Sequence, residues 1–225
     1  MKFGVVIFPG SNCDRDMIEG LRHDLGQEVI SLWHKDNDLS MFNTEDCIVL
    51  PGGFSYGDYL RCGAIARFSP MMQEVVKFAG KGGKVLGVCN GFQILCESGL
   101  LPGALLRNAG QQFVCKNVFI KSNSDRLPPL KIPVAHGEGR YHAPAEMLKK
   151  MEENGRILFR YCDENGTINE SANPNGAVLN IAGICNEAGN VVGMMPHPER
   201  AVSKSLNNTD GRVVFNSLYG IASFN

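Results

Sequence analysis

The stretch KVLGVCNGFQ, residues 84–93, runs from a short apolar segment into a turn with a cysteine between two glycines. The apolar segment predicts a buried strand, and residues 90–98 predict a helix. Gly87 and Gly91 stand two positions before and after Cys89, so the turn has the layout of the G-x-S-x-G nucleophile elbow. Because glycines avoid side-chain collisions in so tight a turn, the pattern predicts an exposed cysteine above the end of a strand.

The same turn would place Cys89 where a thiol is chemically useful. A free thiol has a pKa of about 8.5 and is only a few per cent thiolate at pH 7. The positive end of the following helix stabilises a thiolate, and the backbone N–H of Asn90 is free to stabilise an oxyanion. On this stretch alone, the alternative that Cys89 merely packs at a strand end stays open, because buried cysteines are common.

Strand and helix signals alternate around this turn in the first hundred residues. We predict strands at 3–8, 28–34, 47–50 and 84–88, with helices from Asn12 or Asp14 to Leu25, from Ser69-Pro70 to about Gly82, and over 90–98. This alternation indicates an α/β fold with a parallel sheet and helices on both faces. In such sheets ligands bind beyond the carboxyl ends of the strands.

The second half of the chain is richer in strands than in helices. Strands are predicted at 112–121, 130–136, 156–162, 177–186 and 190–195, with helices only over 144–154 and 212–219. We therefore expect antiparallel strands on part of the sheet. No linker or repeat divides the sequence, so one domain over residues 1–225 is the simplest organisation.

The composition argues against several classes of function. The 225 residues are 44% hydrophobic and carry a net charge of -1, which gives no reason to expect nucleic-acid binding. No apolar run reaches the roughly 18 residues of a membrane span, and the first residues lack the apolar core of a signal peptide. Eight cysteines are scattered without a C-x-x-C pair, which favours reduced thiols. We expect a cytoplasmic protein without membrane contact.

A histidine and a glutamate lie two positions apart in PHPER, residues 196–200. A residue before proline avoids helical angles, so His197 is expected in extended backbone, where side chains two apart point to the same side. The carboxylate of Glu199 should then approach and orient the ring of His197. The pair alone is typical of an exposed loop, but with Cys89 it makes a nucleophile, a base and an orienting group.

A glycine-rich loop, PGGFSYGDYLRCGA over residues 51–64, leaves the strand before the elbow. A backbone N–H within Gly52-Gly53-Phe54 could point at the same oxyanion as that of Asn90. A phosphate-cradling loop is the alternative, and the absence of the Lys and Ser/Thr of phosphate loops disfavours it.

Together these motifs resemble the class I, or triad-type, glutamine amidotransferases. In that family G-x-C-x-G-x-Q carries the nucleophile, a glycine loop completes the oxyanion hole, and a late H-x-E completes the triad. The order and spacing look like one subfamily, the small glutaminase subunits of phosphoribosylformylglycinamidine synthase, through FPGSNCDRD, PGGFSYGDYLRCGA, GVCNGFQIL, AHGEGRY and PHPER. The resemblance extends over residues 8–200 and implies a flavodoxin-like α/β fold with a mixed, mainly parallel sheet.

The resemblance implies a catalytic triad. Cys89 would be the nucleophile, His197 the general base and acid, and Glu199 the group that orients the histidine.

It also implies a substrate-binding region around the triad. Gln93 would contact the bound glutamine, and the main chain of Gly53, Phe54 and Asn90 would form the oxyanion region. His136, in AHGEGRY, would bind glutamine through its backbone.

A partner follows from the same resemblance and from the chemistry of the product. Ammonia released into water at pH 7 becomes ammonium, which is no nucleophile, so it must be delivered through a shielded route. We expect a large synthetase subunit that binds ATP, magnesium and formylglycinamide ribonucleotide and makes an amidine in purine biosynthesis, with a small bridging subunit. No cofactor is expected on this chain.

Two other functions stay open at this point. One is a stand-alone cysteine hydrolase, such as a γ-glutamyl hydrolase or small peptidase, which would need no partner. The other is a flavodoxin-like binding module without catalysis. His136 and His142, with Glu138 between them, could suggest a metal, but no third imidazole or thiolate has suitable spacing, so exposed or partner-facing positions are expected for them.

Overall fold

The elbow stretch lies near the centre of a nine-stranded sheet in the computed structural model, which describes residues 1–124 and 127–220. The strands are β1 (Lys2–Ile7), β2 (Glu28–Trp33), β3 (Cys47–Leu50), β4 (Lys84–Val88), β5 (Ala104–Leu106), β6 (Val114–Ser122), β7 (Leu130–His136), β8 (Arg140–His142), β9 (Ile157–Cys162), β10 (Ile181–Cys185) and β11 (Val191–Met194). The α-helices are α1 (Asp14–Glu19), α2 (Pro70–Gly80), α3 (Asn90–Glu97), α4 (Ala145–Glu153) and α5 (Asp210–Tyr219). The sheet has the order β2-β1-β3-β4-β11-β10-β9-β6-β7, while β5 and β8 pair separately.

Five neighbouring strands, from β2 to β11, run parallel. The chain moves from β1 to β2 in one direction and from β3 to β4 in the other, so right-handed crossovers place α1 and α2 on opposite faces. In β4 the side chains of Val85, Leu86 and Val88 are all fully buried, as expected of a strand covered on both faces. The predicted α/β sheet is confirmed, and its reversal of direction lies between β1 and β3.

Four antiparallel strands extend the sheet beyond β11. A hairpin joins β10 to β11, closed by a hydrogen bond from the N–H of Asn186 to the carbonyl of Val191 (2.9 Å). Although β7 is the last strand in the sheet order, it lies next to the carboxyl ends of the parallel strands. There the carbonyl of Pro133 accepts a hydrogen bond from the N–H of His197 (2.8 Å).

One predicted strand begins later in the structure, and two short strands were not predicted. The strand expected from residue 177 begins only at Ile181, because Leu179 (φ 53°) and Asn180 (φ 56°) take left-handed angles that a strand does not accept. The short strands β5 and β8 were not predicted, since three residues are too few to show an alternation.

The start of α1 also differs from the prediction. Neither Asn12 nor Asp14 caps the helix; Cys13 occupies the N-cap position and makes no side-chain capping bond. The helix continues into one π-helical segment, Gly20–Asp24, before Gly26 at φ 65° ends it. The predicted extent is confirmed, but the cap is wrong.

Both glycines of the elbow are required by contacts of the backbone. A Cβ added to Gly91 would lie 1.9 Å from the carbonyl oxygen of Leu50, at the end of β3. A Cβ on Gly87 would lie 2.6 Å from the carbonyl oxygen of Gly91. The turn therefore brings the start of α3 directly against the neighbouring strand, which no side chain would permit.

Two further sequence expectations concern the environment of the chain. No helix in the described part of the chain has the length and apolar character needed to cross a membrane. All eight cysteines have free thiols in the structure.

The glycine at position 91 gives a direct test of this packing. We expect Gly91→Ala to lower the free energy of unfolding by about 3 kcal/mol, because the new methyl group overlaps backbone that cannot move cheaply. Urea unfolding measures the change. The matched control is Gly80→Ala in α2, whose Cβ would meet nothing within 4 Å and should be neutral or slightly stabilising. Equal stability of the two variants would contradict the packing described here.

Candidate active site

The backbone of Cys89 is in an unfavourable conformation, with φ 52° and ψ -105°. A non-glycine residue held at such angles costs on the order of 1–3 kcal/mol. The surrounding structure fixes it: the N–H of Cys89 donates to the carbonyl of Met194 (2.8 Å), and its carbonyl accepts from the N–H of Gln93 (3.1 Å) in the first turn of α3. The predicted strand, turn and helix are all present.

The thiol itself is less exposed than the sequence suggested. Cys89 is only 5% exposed, because β7 lies over the elbow. Its Sγ contacts the carbonyl oxygen of Ala135 in that strand (3.6 Å). The side chain reaches the inner end of a cavity and does not stand in open solvent.

Strand pairing brings His197 to the same edge of the sheet as the thiol. Strands β4 and β11 are parallel neighbours in which Val88 pairs with Met194. Cys89 directly follows β4, and His197 follows β11 after two intervening residues. The two side chains therefore meet beyond the carboxyl ends of adjacent strands, where α/β sheets bind ligands.

His197 and Glu199 form a buried pair. The Nδ1 atom of His197 and the Oε1 atom of Glu199 are 2.7 Å apart, and the side chains are 1% and 0% exposed. His197 itself avoids helical angles, as its proline neighbour required. The expected extended path is wrong beyond it, since Pro198–Ala201 forms a 3-10 turn, and this turn brings the carboxylate to the ring.

The charge on Glu199 controls the protonation of His197. Burial lowers the pKa of the His197 ring, but the carboxylate of Glu199 and then the negative charge of a Cys89 thiolate raise it more, to about 10. Since Nδ1 is held by Glu199, the ring offers Nε2 to other groups. That atom is buried and has no hydrogen-bond partner in the described part of the chain.

A second cysteine lies close to this pair but differs in its chemistry. Burial raises the pKa of Cys13 to about 12, although the nearby guanidinium of Arg200 lowers it. The Nη2 atom of Arg200 is 3.1 Å from the sulfur of Cys13. Cys13 therefore stays a neutral thiol at pH 7 and supports the site without serving as its nucleophile.

Gly52 keeps room for the histidine. A Cβ at this position would lie 2.6 Å from Cε1 of His197 and 3.3 Å from the sulfur of Cys13. The loop after β3 and the loop after β11 thus touch through a position that only glycine permits.

The glycine-rich loop is tied to the start of α3. The N–H of Ser55 donates to Oδ1 of Asn90 (3.2 Å). Gly53 has φ 127°, which favours glycine, and a Cβ there would lie 2.7 Å from the backbone nitrogen of Asn12. Gly53 and Phe54 line the cavity together with Cys89, so the structure brings the residues of the predicted oxyanion region together.

The side chain of Gln93 is already engaged in hydrogen bonds. Its Nε2 donates to the backbone carbonyl of Glu138 (2.7 Å), and its Oε1 accepts from Nδ2 of Asn90 (2.9 Å). Gln93 lines the cavity, but its amide links α3 to the turn after β7. Its geometry fits a residue that shapes the substrate cavity.

His136 is buried, so the expectation of an exposed or partner-facing side chain is wrong for it, whereas His142 is exposed. The ring of His136 contacts two asparagines: its Nδ1 lies 3.2 Å from Oδ1 of Asn108, and its Nε2 lies 3.5 Å from Nδ2 of Asn175. Burial, and then the charge of His197, lower the pKa of His136 to about 4. The ring is therefore neutral at pH 7, and its backbone carbonyl accepts from Nδ2 of Asn108 (2.9 Å).

The cavity next to Cys89 has a volume of about 390 Å³. Three charged residues that were not among the predicted catalytic and substrate-binding residues line it: Asp58, Arg107 and Glu138. Asp58 belongs to the glycine-rich loop and could have been suspected there. Arg107 had no sequence signal, because only the fold brings it to the cavity.

Metal binding has no support from the geometry. Within residues 1–124 and 127–220, no group of three or more His, Cys, Asp or Glu side chains is arranged to hold a metal ion.

Comparison with known proteins gives consistent results. The sequence model of one family, described as a CobB/CobQ-like glutamine amidotransferase domain, matches residues 1–214. The phosphoribosylformylglycinamidine synthase subunit PurQ of Acaryochloris marina is 54% identical over 224 residues, covering 96% of this chain and 94% of the relative. The PurQ subunit of Moorella thermoacetica is 54% identical over 227 residues, covering 97% and 95%.

Solved structures agree with the sequence relatives. A chain of PurLQS from Thermotoga maritima superposes with a TM-score of 0.82 at 39% identity and covers 97% of both chains. A glutamine amidotransferase from the same organism superposes with a TM-score of 0.56 at 16% identity, covering 98% of this chain and 82% of the other. The second likeness shows the fold alone.

The coupling between Glu199 and His197 can be measured directly. We expect Glu199→Gln to lower the pKa of His197 by about 1–3 pH units, because a buried opposite charge favours the imidazolium by that much. NMR titration of the His197 ring measures the value. Glu187→Gln, an exposed substitution in the hairpin at the opposite end of the strands, serves as the control. An unchanged His197 titration in Glu199→Gln would show that the carboxylate does not control it.

Proposed function

The chain belongs to the CobB/CobQ-like glutamine amidotransferase family and, within it, to the PurQ subunits of phosphoribosylformylglycinamidine synthase, and on this premise we propose that Cys89, His197 and Glu199 hydrolyse glutamine. The observation that carries the proposal is the meeting of these three side chains beyond adjacent parallel strands, with Cys89 lining a cavity. The products are glutamate and ammonia.

The first half of the reaction forms a thioester. With its pKa raised to about 10, the His197 ring is an imidazolium at pH 7, and Cys89 reacts as the thiolate. The thiolate attacks the side-chain amide carbon of glutamine, and backbone N–H groups at Gly53, Phe54 and Asn90 stabilise the tetrahedral oxyanion. His197 then donates its proton from Nε2 to the leaving nitrogen, the carbon–nitrogen bond breaks, and ammonia departs.

The second half restores the enzyme. Neutral His197 removes a proton from water, and the resulting hydroxide attacks the thioester carbonyl. The carbon–sulfur bond breaks, glutamate leaves, and the thiolate and imidazolium are regenerated. The carboxylate of Glu199 holds Nδ1 of the ring, so that Nε2 faces the reacting atoms.

His136 contributes by staying uncharged. A second imidazolium near His197 would disfavour protonation of the catalytic ring, and the pKa of about 4 prevents this. We propose that His136 supports glutamine binding through the backbone of β7, as its buried ring and its asparagine contacts suggest.

The ammonia is consumed by another subunit. By the likeness to PurLQS, the chain associates with a PurL synthetase and a PurS subunit, which match the predicted large and bridging partners. Tyr59 and Leu60 directly follow the cavity-lining residue Asp58 and are 90% and 80% exposed although aromatic or apolar, so we take them as a docking rim beside the cavity. We propose that the synthetase covers this rim and receives ammonia before it meets water.

Cofactors and location complete the proposal. ATP and magnesium belong to the synthetase partner, and the chemistry at Cys89 needs no cofactor on this chain. We place the protein in the cytoplasm, where its free thiols remain reduced.

Replacement of the nucleophile separates the two activities of the complex. We expect Cys89→Ala, in the complex with its synthetase, to abolish glutamine-dependent synthesis of formylglycinamidine ribonucleotide, because the thioester cannot form. Synthesis from added ammonium salt should keep its wild-type rate, since it bypasses the glutaminase. Both rates are measured by product formation. Cys115→Ala, at an exposed position, should leave both rates unchanged.

Loss of both activities in an assembled Cys89→Ala complex would mean that Cys89 is structural. Glutamine-dependent synthesis that survives the substitution would exclude Cys89 as the nucleophile.

A further inference from the structure

The proposed mechanism gives no role to the charged side chains that line the cavity. Besides Cys89, the cavity is lined by two carboxylates, Asp58 and Glu138, and by one guanidinium, Arg107. None of these takes part in the proton transfers proposed above. A ligand that spans the cavity from Cys89 must meet them.

Asp58 is held in place by an unusual stretch of backbone. Tyr56, Gly57 and Asp58 have consecutive positive φ angles of 54°, 69° and 51°. Two side chains also hold the carboxylate: Oδ1 accepts from Nδ2 of Asn90 (3.3 Å), and Oδ2 accepts from the thiol of Cys62 (3.1 Å). The carboxylate is thereby fixed beside the first turn of α3, close to the nucleophile.

Glu138 adds a second negative charge at the same place. Its backbone carbonyl accepts a hydrogen bond from Nε2 of Gln93 (2.7 Å). Burial, then the carboxylate of Asp58 and that of Glu138, raise the pKa of the Cys62 thiol, which therefore stays protonated. Burial raises the pKa of Asp58, and the nearby charge of Glu138 raises it further. The charge of Glu138 thus lies close enough to Asp58 to disfavour the ionisation of Asp58.

The one guanidinium lining the cavity does not neutralise this pair. The Nε atom of Arg107 lies 3.9 Å from Oε1 of Glu138, and the Arg107 side chain is 71% exposed. Such an exposed pair contributes little. The cavity lining therefore carries an excess of negative charge from Asp58 and Glu138, while the guanidinium is largely exposed to solvent.

This charge pattern matches the free end of glutamine. When the amide carbon of glutamine is at Cys89, the α-carbon lies three carbon–carbon bonds further along, with an ammonium and a carboxylate attached to it. We propose that Asp58, with Glu138 beside it, binds the α-ammonium group of glutamine, while Arg107 faces its α-carboxylate. The assignment rests on the proposed glutaminase function and makes Asp58 a specificity residue for the free amino acid.

The consequence is discrimination against amides that lack the ammonium group. Glutaramate has the same chain, amide and carboxylate as glutamine, with hydrogen in place of the amino group. A half-buried carboxylate that meets only the methylene group of glutaramate forms no ion pair with the ligand. A site built for a charged hydrogen bond rejects such a ligand strongly.

The experiment compares hydrolysis of glutamine and glutaramate by the complete complex, for the wild type and for Asp58→Asn. The asparagine has the same shape and keeps hydrogen-bonding capacity toward Asn90 and Cys62. We expect kcat/KM for glutamine to fall about 10- to 100-fold, mainly through a higher KM, as for a lost hydrogen bond to a charged group. Glutaramate hydrolysis should change less than about threefold, so the preference for glutamine shrinks. Glu187→Gln, far from the cavity, controls for loss of a carboxylate and should leave both substrates unaffected.

Three outcomes would overturn the assignment while leaving the glutaminase function intact. These are an equal loss for both substrates in Asp58→Asn, no loss for glutamine, or a wild-type complex that hydrolyses both amides with equal efficiency. A wild-type complex that hydrolyses neither contradicts the proposed function itself and the assignment with it.

Discussion

The contact between the backbone of Gly91 and the carbonyl of Leu50 constrains the whole site. A side chain at position 91 would lie inside the end of β3, at 1.9 Å from its carbonyl oxygen. Because α3 begins so close to the sheet, the residue before it has no favourable conformation, and Cys89 takes a positive φ of 52°. The cost of on the order of 1–3 kcal/mol is offset by the fully buried strand beneath it and by the hydrogen bond to Met194. The contacts of this turn with β3 and β11 therefore fix the direction of the Cys89 side chain.

The electrostatic surroundings give residues of the same type different protonation states in this site. Two buried histidines lie in one site, yet the pKa of His197 is raised to about 10 and that of His136 is lowered to about 4. The difference comes from their partners, since Glu199 supplies a carboxylate to one ring and asparagines meet the other. Cys13 is likewise kept neutral by burial, with its pKa raised to about 12. When their surroundings move the pKa values of similar groups apart in this way, one group can act as acid or base while the other stays uncharged.

Much of this site could be predicted from the sequence because its signals are local. The glycines around Cys89, the proline after His197 and the capping Ser69, which accepts from the N–H of Met72 (3.3 Å), act through neighbouring residues. The burial of His136 was not predicted, because the asparagines around it are 28 and 39 positions away. The same holds for Arg107, whose place depends on tertiary packing. The 3-10 turn at Glu199 shows that a correct contact can be predicted from a wrong backbone path.

The central claim is that Cys89 alone among the eight thiols attacks glutamine. Mass spectrometry of the peptides obtained after acid quenching of the complex during turnover tests it most directly. We expect a γ-glutamyl group on the peptide that contains Cys89. In Glu199→Gln this thioester should be absent or should form more slowly. Rapid glutamine consumption without this adduct, or an adduct on Cys13 or Cys62 instead, would contradict it.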